Sequence, residues 1–84
     1  MTPERLLQTF SEILGGLLDD DNLSLTADTR RHDVPEWDSF NYVNFIVTVE
    51  MQFGVKFSVA DVESFQTVGE IANRTIALMH LRRV

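Results

Sequence analysis

The chain has 84 residues, of which 44% are hydrophobic and 24% charged, and its formal net charge is −6. This size and composition are typical of one small globular domain, which we expect to span residues 1–84. Because the chain contains no cysteine, disulfides and thiolate metal sites are excluded, and any thiol used in its chemistry must come from another molecule. No apolar run approaches the ~20 residues of a membrane span. Since the N terminus does not resemble a signal peptide, we expect a cytoplasmic protein.

The negative charge is concentrated between residues 19 and 38, where only Arg30 and Arg31 oppose seven acidic side chains. Such a surface repels a phosphate backbone, and the sequence has no basic stripe interleaved with aromatic residues. We therefore expect no nucleic-acid partner, and basic proteins are the natural complement. The seven acidic residues are Asp19, Asp20, Asp21, Asp28, Asp33, Glu36 and Asp38.

The first predicted element is a helix that begins after Thr2. Thr2 offers a capping hydroxyl, Pro3 suits the first helical position, and Glu4 places an acid in the first turn. The glycine pair Gly15-Gly16 and the polar run that follows predict an end near residues 15–18. Between these signals the apolar residues recur at helical spacing: Leu6, Leu7, Phe10, Ile13, Leu14 and Leu17.

Residues 19–38 show no sustained period and are predicted to form a long loop. Loops longer than about 12–15 residues are uncommon in compact domains and are usually functional, so the far end of this loop is of interest. Pro35 keeps helix from extending backwards into the loop. We predict the second helix from Ser39 to Phe53, with Gly54 as its C-cap.

The second helix is apolar on more than one side. One stripe of it consists of Val43, Ile46, Val47, Glu50 and Phe53. Two interpretations stay open for the additional apolar residues Tyr42, Phe45 and Val49: they pack under the long loop, or they form a hydrophobic docking face for a partner.

Two capping signals predict the remaining helices. Ser58-Val59-Ala60-Asp61 has the spacing of a capping box and opens one short helix, and Thr67-Val68-Gly69-Glu70 opens the last one. Three long helices and one short helix, without internal repeats, predict an all-α fold. We expect a small antiparallel bundle with a long loop between helices 1 and 2. The expected buried face of the last helix is Val68, Ile71, Ala72, Thr75, Ile76 and Met79.

The spacing of the acidic residues, histidines and glycines does not match a known type of metal or catalytic site. The acidic run 19–24 lacks the turn glycine and the final glutamate of a calcium loop. His32 and His80 show no ligand spacing. A Ser39–His32–Asp33 triad is conceivable, but no nucleophile-elbow glycine pattern surrounds the serine. We therefore predict no metal site and no catalytic residue.

Ser39 itself has two interpretations. Asp and Ser are both preferred at helix N-caps, so either Asp38 or Ser39 could cap the second helix and have no further role. A helix start is also favourable for an anion, which suits a phosphate carried on the Ser39 hydroxyl. Since no base is evident beside Ser39, such a modification would require another enzyme.

The residues around Ser39 resemble a known family. Trp37-Asp38-Ser39-Phe40 resembles the Asp-Ser-Leu attachment motif of acyl carrier proteins, which are phosphopantetheine-binding carrier domains. Further along the chain, Glu50–Phe57 is similar to the end of that family's second helix and the loop after it. Ser58–Asp61 resembles the short third helix, and Thr67–Ile71 the start of the fourth. The resemblance therefore covers nearly the whole chain.

This resemblance implies a carrier and not an enzyme. Ser39 would carry 4′-phosphopantetheine, donated by coenzyme A and attached by a phosphopantetheinyl transferase. The thiol of that arm would hold acyl or aminoacyl groups as thioesters for loading and processing enzymes, and it would supply the sulfur that the sequence lacks. We expect a monomeric carrier in which Asp38, Phe40, Asn41 and Asn44 contact partner enzymes.

The sequence departs from the family pattern in ways that bear on its pathway. Phe40 stands where leucine is usual. Fatty-acid carrier proteins typically present acids near Asn41, Asn44 and residues 51–52, which are neutral here, so Glu50 is the only charge between residues 39 and 53. Electrostatic steering of basic partners should be weak, which favours a specialised biosynthetic pathway. The alternatives are a housekeeping fatty-acid carrier and an unmodified helical adaptor.

Overall fold

The computed structural model describes residues 2–82 and has the predicted order of helices. Helix α1 packs against both α2 and α4, and no strand occurs in the described part of the chain. The prediction of a small all-α bundle is confirmed. None of the helices within residues 2–82 is long and apolar enough to cross a membrane. The elements are α1 (Pro3–Leu18), a 3-10 turn (Arg31–Asp33), α2 (Ser39–Phe53), α3 (Val59–Ser64) and α4 (Val68–Arg82).

The ends of α1 and α2 lie where the local capping signals predicted them. The hydroxyl of Thr2 accepts a hydrogen bond from the backbone N–H of Arg5 at 3.3 Å. Asp19 ends α1 and Gly54 ends α2, both in the left-handed conformation, with φ of 57° and 65°. Glycine adopts this conformation without strain, which explains why α2 stops at Gly54.

The core lies where α1, α2 and α4 meet, and an aromatic chain crosses it. Phe45 is fully buried and makes edge-to-face contacts with Phe10 and Trp37, each with ring centroids 5.3 Å apart. Trp37 is only 4% exposed, so it anchors the end of the long loop to the core just before α2 begins. The other buried hydrophobic residues are Leu6, Leu14, Leu25, Val34, Ile46, Val49, Val55, Phe57, Val68, Ile71 and Ala72.

The side of α2 that faces the core is not centred on the stripe of Val43, Ile46, Val47, Glu50 and Phe53, although Ile46 at its edge is buried. Val43 and Val47 are 54% and 44% exposed, whereas Phe45 and Val49 are fully buried. The interpretation of Phe45 and Val49 as part of a docking face is therefore wrong. When a helix is apolar on both sides, its own sequence does not determine which side faces the core. Its partners decide the phase, and here the rings of Phe10 and Trp37 lie against Phe45.

The long loop is fastened to the first turn of α4. The backbone N–H of Gly69 donates to the carbonyl of Ala27, and that of Val68 to the carbonyl of Thr29, each at 2.9 Å. A Cβ on residue 69 would lie 2.8 Å from the Ala27 carbonyl oxygen and 3.0 Å from the Ala27 Cβ. Only glycine allows this close approach, because any side chain would push the loop away from α4.

Gly69→Ala is expected to lower the free energy of unfolding by about 1–3 kcal/mol, because overpacking displaces the loop. Gly16→Ala is the matched control, since nothing lies within 4 Å of a Cβ at that position. It should stabilise α1 by roughly 0.5–1 kcal/mol through better helix propensity. Urea unfolding of both variants measures the difference, and equal stabilities would contradict the close contact at Gly69.

The short helix α3 is held at its start by the predicted capping box. The Ser58 hydroxyl accepts from the Asp61 N–H at 3.0 Å, and the Asp61 carboxylate accepts from the Ser58 N–H at 3.2 Å. The same carboxylate accepts from Arg74 of α4 at 3.2 Å. These bonds, chiefly that from the Ser58 N–H, lower the pKa of Asp61. Their stabilising effect is therefore present above the unfolded-state pKa of about 4 and is lost as the pH falls through the folded-state pKa.

Candidate functional site

Asp38, and not Ser39, caps α2. The Asp38 carboxylate accepts a hydrogen bond from the backbone N–H of Asn41 at 2.9 Å, and Asp38 itself has extended backbone. Ser39 is the first residue of the helix and is exposed. Its hydroxyl makes no hydrogen bond to any residue of the described range 2–82. The Ser39 hydroxyl is therefore accessible and does not contribute to the cap of α2.

The start of α2 is suited to a phosphate group on the Ser39 hydroxyl. Within residues 2–82, the backbone N–H groups of Ser39 and Phe40 have no hydrogen-bond partner, and the first turn holds no acidic residue. The free N–H groups and the positive end of the helix dipole favour a negative charge at this position. The residues present thus fit a phosphodiester on Ser39.

The segment that leads to Ser39 is held in a constrained turn. Glu36 adopts the left-handed conformation with φ of 69°, which is unfavourable for a residue other than glycine by roughly 1–2 kcal/mol. The Asn41 side chain donates to the Glu36 carbonyl at 3.1 Å and so braces the turn from α2. Trp37 anchors the same turn from the core side. Asn41, predicted to contact partner enzymes, therefore has an internal role in positioning Ser39.

The structure groups most of the predicted site residues around the start of α2. Phe40 lies beside Ser39 and is 74% exposed, whereas Asn41 and Asn44 are half-buried. Asn44 lies about one turn further along, where its carbonyl accepts from the Thr48 hydroxyl at 2.8 Å. Contact of these residues with partner enzymes stays a prediction.

Tyr42 is a residue near the site whose role sequence reasoning missed. Its hydroxyl donates to the carbonyl of Val62 at 2.7 Å and so ties α2 to α3. The guanidinium of Arg31 lies 5.1 Å from the centre of the Tyr42 ring. Burial raises the pKa of Tyr42, and the charge of Arg31 opposes this effect. No sequence signal links Tyr42 to a residue twenty positions away, because the contact depends on how α3 packs.

The exposed face of α2 is apolar and starts next to Ser39. Phe40, Val43, Val47 and Met51 are exposed at helical spacing along it. Glu50 is the single charged residue of this helix, and its carboxylate accepts the backbone N–H of Phe57 at 2.8 Å. The only charge on α2 is therefore engaged in an internal hydrogen bond.

A family model described as "Phosphopantetheine attachment site" matches residues 4–75. The chain belongs to this family of carrier domains. The carrier is similar to the holo acyl carrier protein of Geobacter metallireducens, solved by NMR in solution. That protein is 27% identical over 92% of this chain and 88% of its own, with a TM-score of 0.84.

The carrier also shares its fold with a crystal structure of a Toxoplasma-specific mitochondrial acyl carrier protein. The identity is 20%, the coverage 86% of this chain and 89% of that chain, and the TM-score 0.61. No curated protein matches the carrier.

Membership of this family establishes the general role of the chain. The carrier is not itself a catalyst, and its cofactor is covalently attached 4′-phosphopantetheine. That group supplies a thiol at the end of a flexible arm, on which cargo is held as a thioester. The predictions of an acyl-carrier-like fold, a carrier role and this cofactor are confirmed.

Proposed function

We propose that Ser39 is the attachment residue and that the carrier serves a specialised biosynthetic pathway in the cytoplasm. A phosphopantetheinyl transferase would load the arm, and dedicated loading and processing enzymes would then act on its acyl or aminoacyl cargo. The observation that carries the assignment of Ser39 is its free, exposed hydroxyl at the start of α2 beside an aspartate that already caps the helix.

The protein's own contribution at Ser39 is to present the hydroxyl and to accommodate charge. Asp38 takes the capping duty, and Asn41 and Trp37 fix the turn before the serine. The unpartnered N–H groups of the first turn favour the phosphate once it is attached. No residue of this chain needs to activate the serine, since the transferase supplies that chemistry.

The neutral surface of α2 supports a specialised pathway. Enzymes that recognise carriers through basic patches depend on acidic side chains for fast, oriented association. On this carrier, Glu50 is engaged with Phe57, and the exposed stripe is formed by Phe40, Val43, Val47 and Met51. Such a stripe suits a partner with an apolar contact surface, whose affinity depends little on salt.

Purified fatty-acid elongation enzymes provide the test. Because charge steering is worth roughly tenfold or more in association rate, we expect them to use this holo carrier at least about tenfold less efficiently than their own carrier. The double variant N44E/M51E should recover part of this difference, because it returns acids to α2. The variant Q8E/N73E adds the same charge at exposed positions of α1 and α4 and should recover nothing. If the enzymes used the holo carrier without substitutions as efficiently as their own carrier, the result would contradict the specialised pathway and support a housekeeping role.

A further inference from the structure

A groove of about 700 Å³ lies between α1 and the first half of the long loop. The residues that α1 contributes to it recur at steps of three and four, so they form one continuous face of that helix. From Glu4 to Gly15 this face extends over about 16 Å, the length of roughly three helical turns. The groove is therefore long enough for a second helix to lie along α1. The residues of this face are Glu4, Leu7, Gln8, Ser11, Glu12 and Gly15.

The groove is separate from the candidate functional site. Every described residue that lines it lies between positions 4 and 27, whereas α2 begins at Ser39. A partner segment seated in the groove would therefore leave Ser39 and the exposed apolar stripe of α2 accessible to other enzymes.

Leucine side chains make part of the groove apolar. Leu7 and Leu23 are only partly buried by the domain itself, and Leu25 is buried. The hydroxyl of Ser11 is already used, since it donates to the Leu7 carbonyl at 2.8 Å and accepts from the Leu25 N–H at 2.9 Å. The open surface between α1 and the loop thus favours apolar side chains.

Acidic side chains line the same groove, and no lysine, arginine or histidine lines it within the described residues. None of these acids makes a salt bridge in that part of the chain, so the domain does not compensate their like charges. They favour a cationic partner. A second copy of the chain is disfavoured, because its net charge is −6. The acidic residues are Glu4, Glu12, Asp20 and Asp21.

Gly16 keeps one end of the groove open. A Cβ at the neighbouring Gly15 would lie 2.7 Å from the carbonyl oxygen of Asp20, so the fold itself requires a glycine there. Gly16 also lines the groove, but nothing lies within 4 Å of a Cβ at this position. The domain therefore has no packing reason for the second glycine, although glycine is a less stable choice than alanine inside a helix. Its missing side chain leaves space that a partner side chain can fill.

We propose that this groove is a docking site for a basic amphipathic helix of a partner protein. Apolar side chains of that helix lie against Leu7 and Leu23, and its lysine or arginine side chains face the acids. The length of the groove, its apolar part and its uncompensated charge all fit such a helix. Docking there holds the carrier beside the partner and raises the effective concentration of the arm at the partner's active site. The inference goes beyond the proposed function and does not depend on attachment at Ser39.

A synthetic helix of leucine and lysine provides the probe. A peptide of about 14 residues, with leucine on one face and lysine on the other, spans roughly four turns. Titrated into the isotope-labelled holo carrier, it should shift the amide NMR signals of residues 4–27 and leave those of residues 40–51 nearly unchanged. A rise in ionic strength from about 0.1 M to about 1 M shortens the screening length from ~10 Å to ~3 Å and should weaken binding at least about fivefold.

Gly16→Leu should weaken binding of the peptide by about tenfold or more, because the new side chain occupies the groove and clashes with the peptide. The variant should fold normally, since nothing in the domain lies within 4 Å of a Cβ at this position. Asn73→Leu is the matched control, because it adds the same side chain at an exposed position of α4. It should leave the affinity unchanged, and circular dichroism confirms that both variants are helical. Unchanged affinity of folded Gly16→Leu would overturn the proposal.

The double variant E12Q/D21N should weaken binding about fivefold, as expected for the loss of two exposed charge pairs. E36Q/E63Q removes two exposed acids outside the groove and should change the affinity by less than about twofold. Equal losses for the two variants would show that only the net charge attracts the peptide, and they would overturn the proposal. Absence of binding, or NMR shifts centred on α2, would also overturn it. A carrier dimer in sedimentation that is lost in Gly16→Leu would overturn it in favour of a second copy as the occupant.

Discussion

Ser39→Ala is expected to abolish carrier function completely and to leave the stability of the domain almost unchanged. The hydroxyl is the proposed attachment point, so no cargo can be held without it. It is exposed and makes no hydrogen bond within the described residues, and Asp38 caps the helix in its place. Removal of such a group should alter the free energy of unfolding by no more than about 0.5 kcal/mol. Pathway turnover and urea unfolding of the same preparation measure the two effects.

Ser24→Ala is the matched control for this variant, because Ser24 is also exposed but lies in the long loop. It should keep full carrier function. Normal pathway activity of Ser39→Ala would contradict the proposed function and would support the alternative of an unmodified adaptor. A large loss of stability would contradict the assignment of the cap to Asp38.

Phe45→Ala is expected to destabilise the domain by about 3–5 kcal/mol, the usual loss for a large aromatic side chain in a core. Phe45 is fully buried and contacts the rings of both Phe10 and Trp37. Because a domain of this size has a total stability of only roughly 0.1 kcal/mol per residue, the loss removes a large part of it. Trp37 fluorescence during urea unfolding reports the change, since the indole ring lies against Phe45.

Phe40→Ala is the control on the same helix. Phe40 is 74% exposed, so its removal should change the free energy of unfolding by no more than about 0.5 kcal/mol. Similar losses for the two phenylalanines would show that α2 faces the core with a different side. The stripe Phe40, Val43, Val47 and Met51 would then lose its place as the exposed face of the helix.

The helix boundaries could be predicted from the sequence because caps are local. Thr2, Ser58 and Gly54 act on residues only a few positions away, and the structure shows each of them at the end of a helix. The phase of α2 could not be predicted in this way. Both of its sides are apolar, and the choice depends on how the rings of Phe10, in another helix, and Trp37, in the preceding turn, pack against Phe45.

The same difference between local sequence signals and long-range packing applies to the candidate site. Ser39 and its neighbours could be predicted as a site because the motif that resembles an attachment motif is contiguous in sequence. Three other features near the site could not be predicted. They are the hydrogen bond from Tyr42 to Val62, the position of Arg31 over the Tyr42 ring, and the indole N–H of Trp37, which is unpartnered within residues 2–82. Each of them follows from the packing of the long loop and α3 against α2, which no periodicity in a single sequence encodes.

The carrier is proposed to hold its arm on Ser39. The most direct test of this proposal is the intact mass of the protein before and after incubation with coenzyme A and a broad-specificity phosphopantetheinyl transferase, followed by fragmentation to locate any added group. We predict a gain of one phosphopantetheine, located on Ser39 and absent from Ser39→Ala. A folded, helical protein that gains no mass, or that gains it on another residue, would contradict the claim.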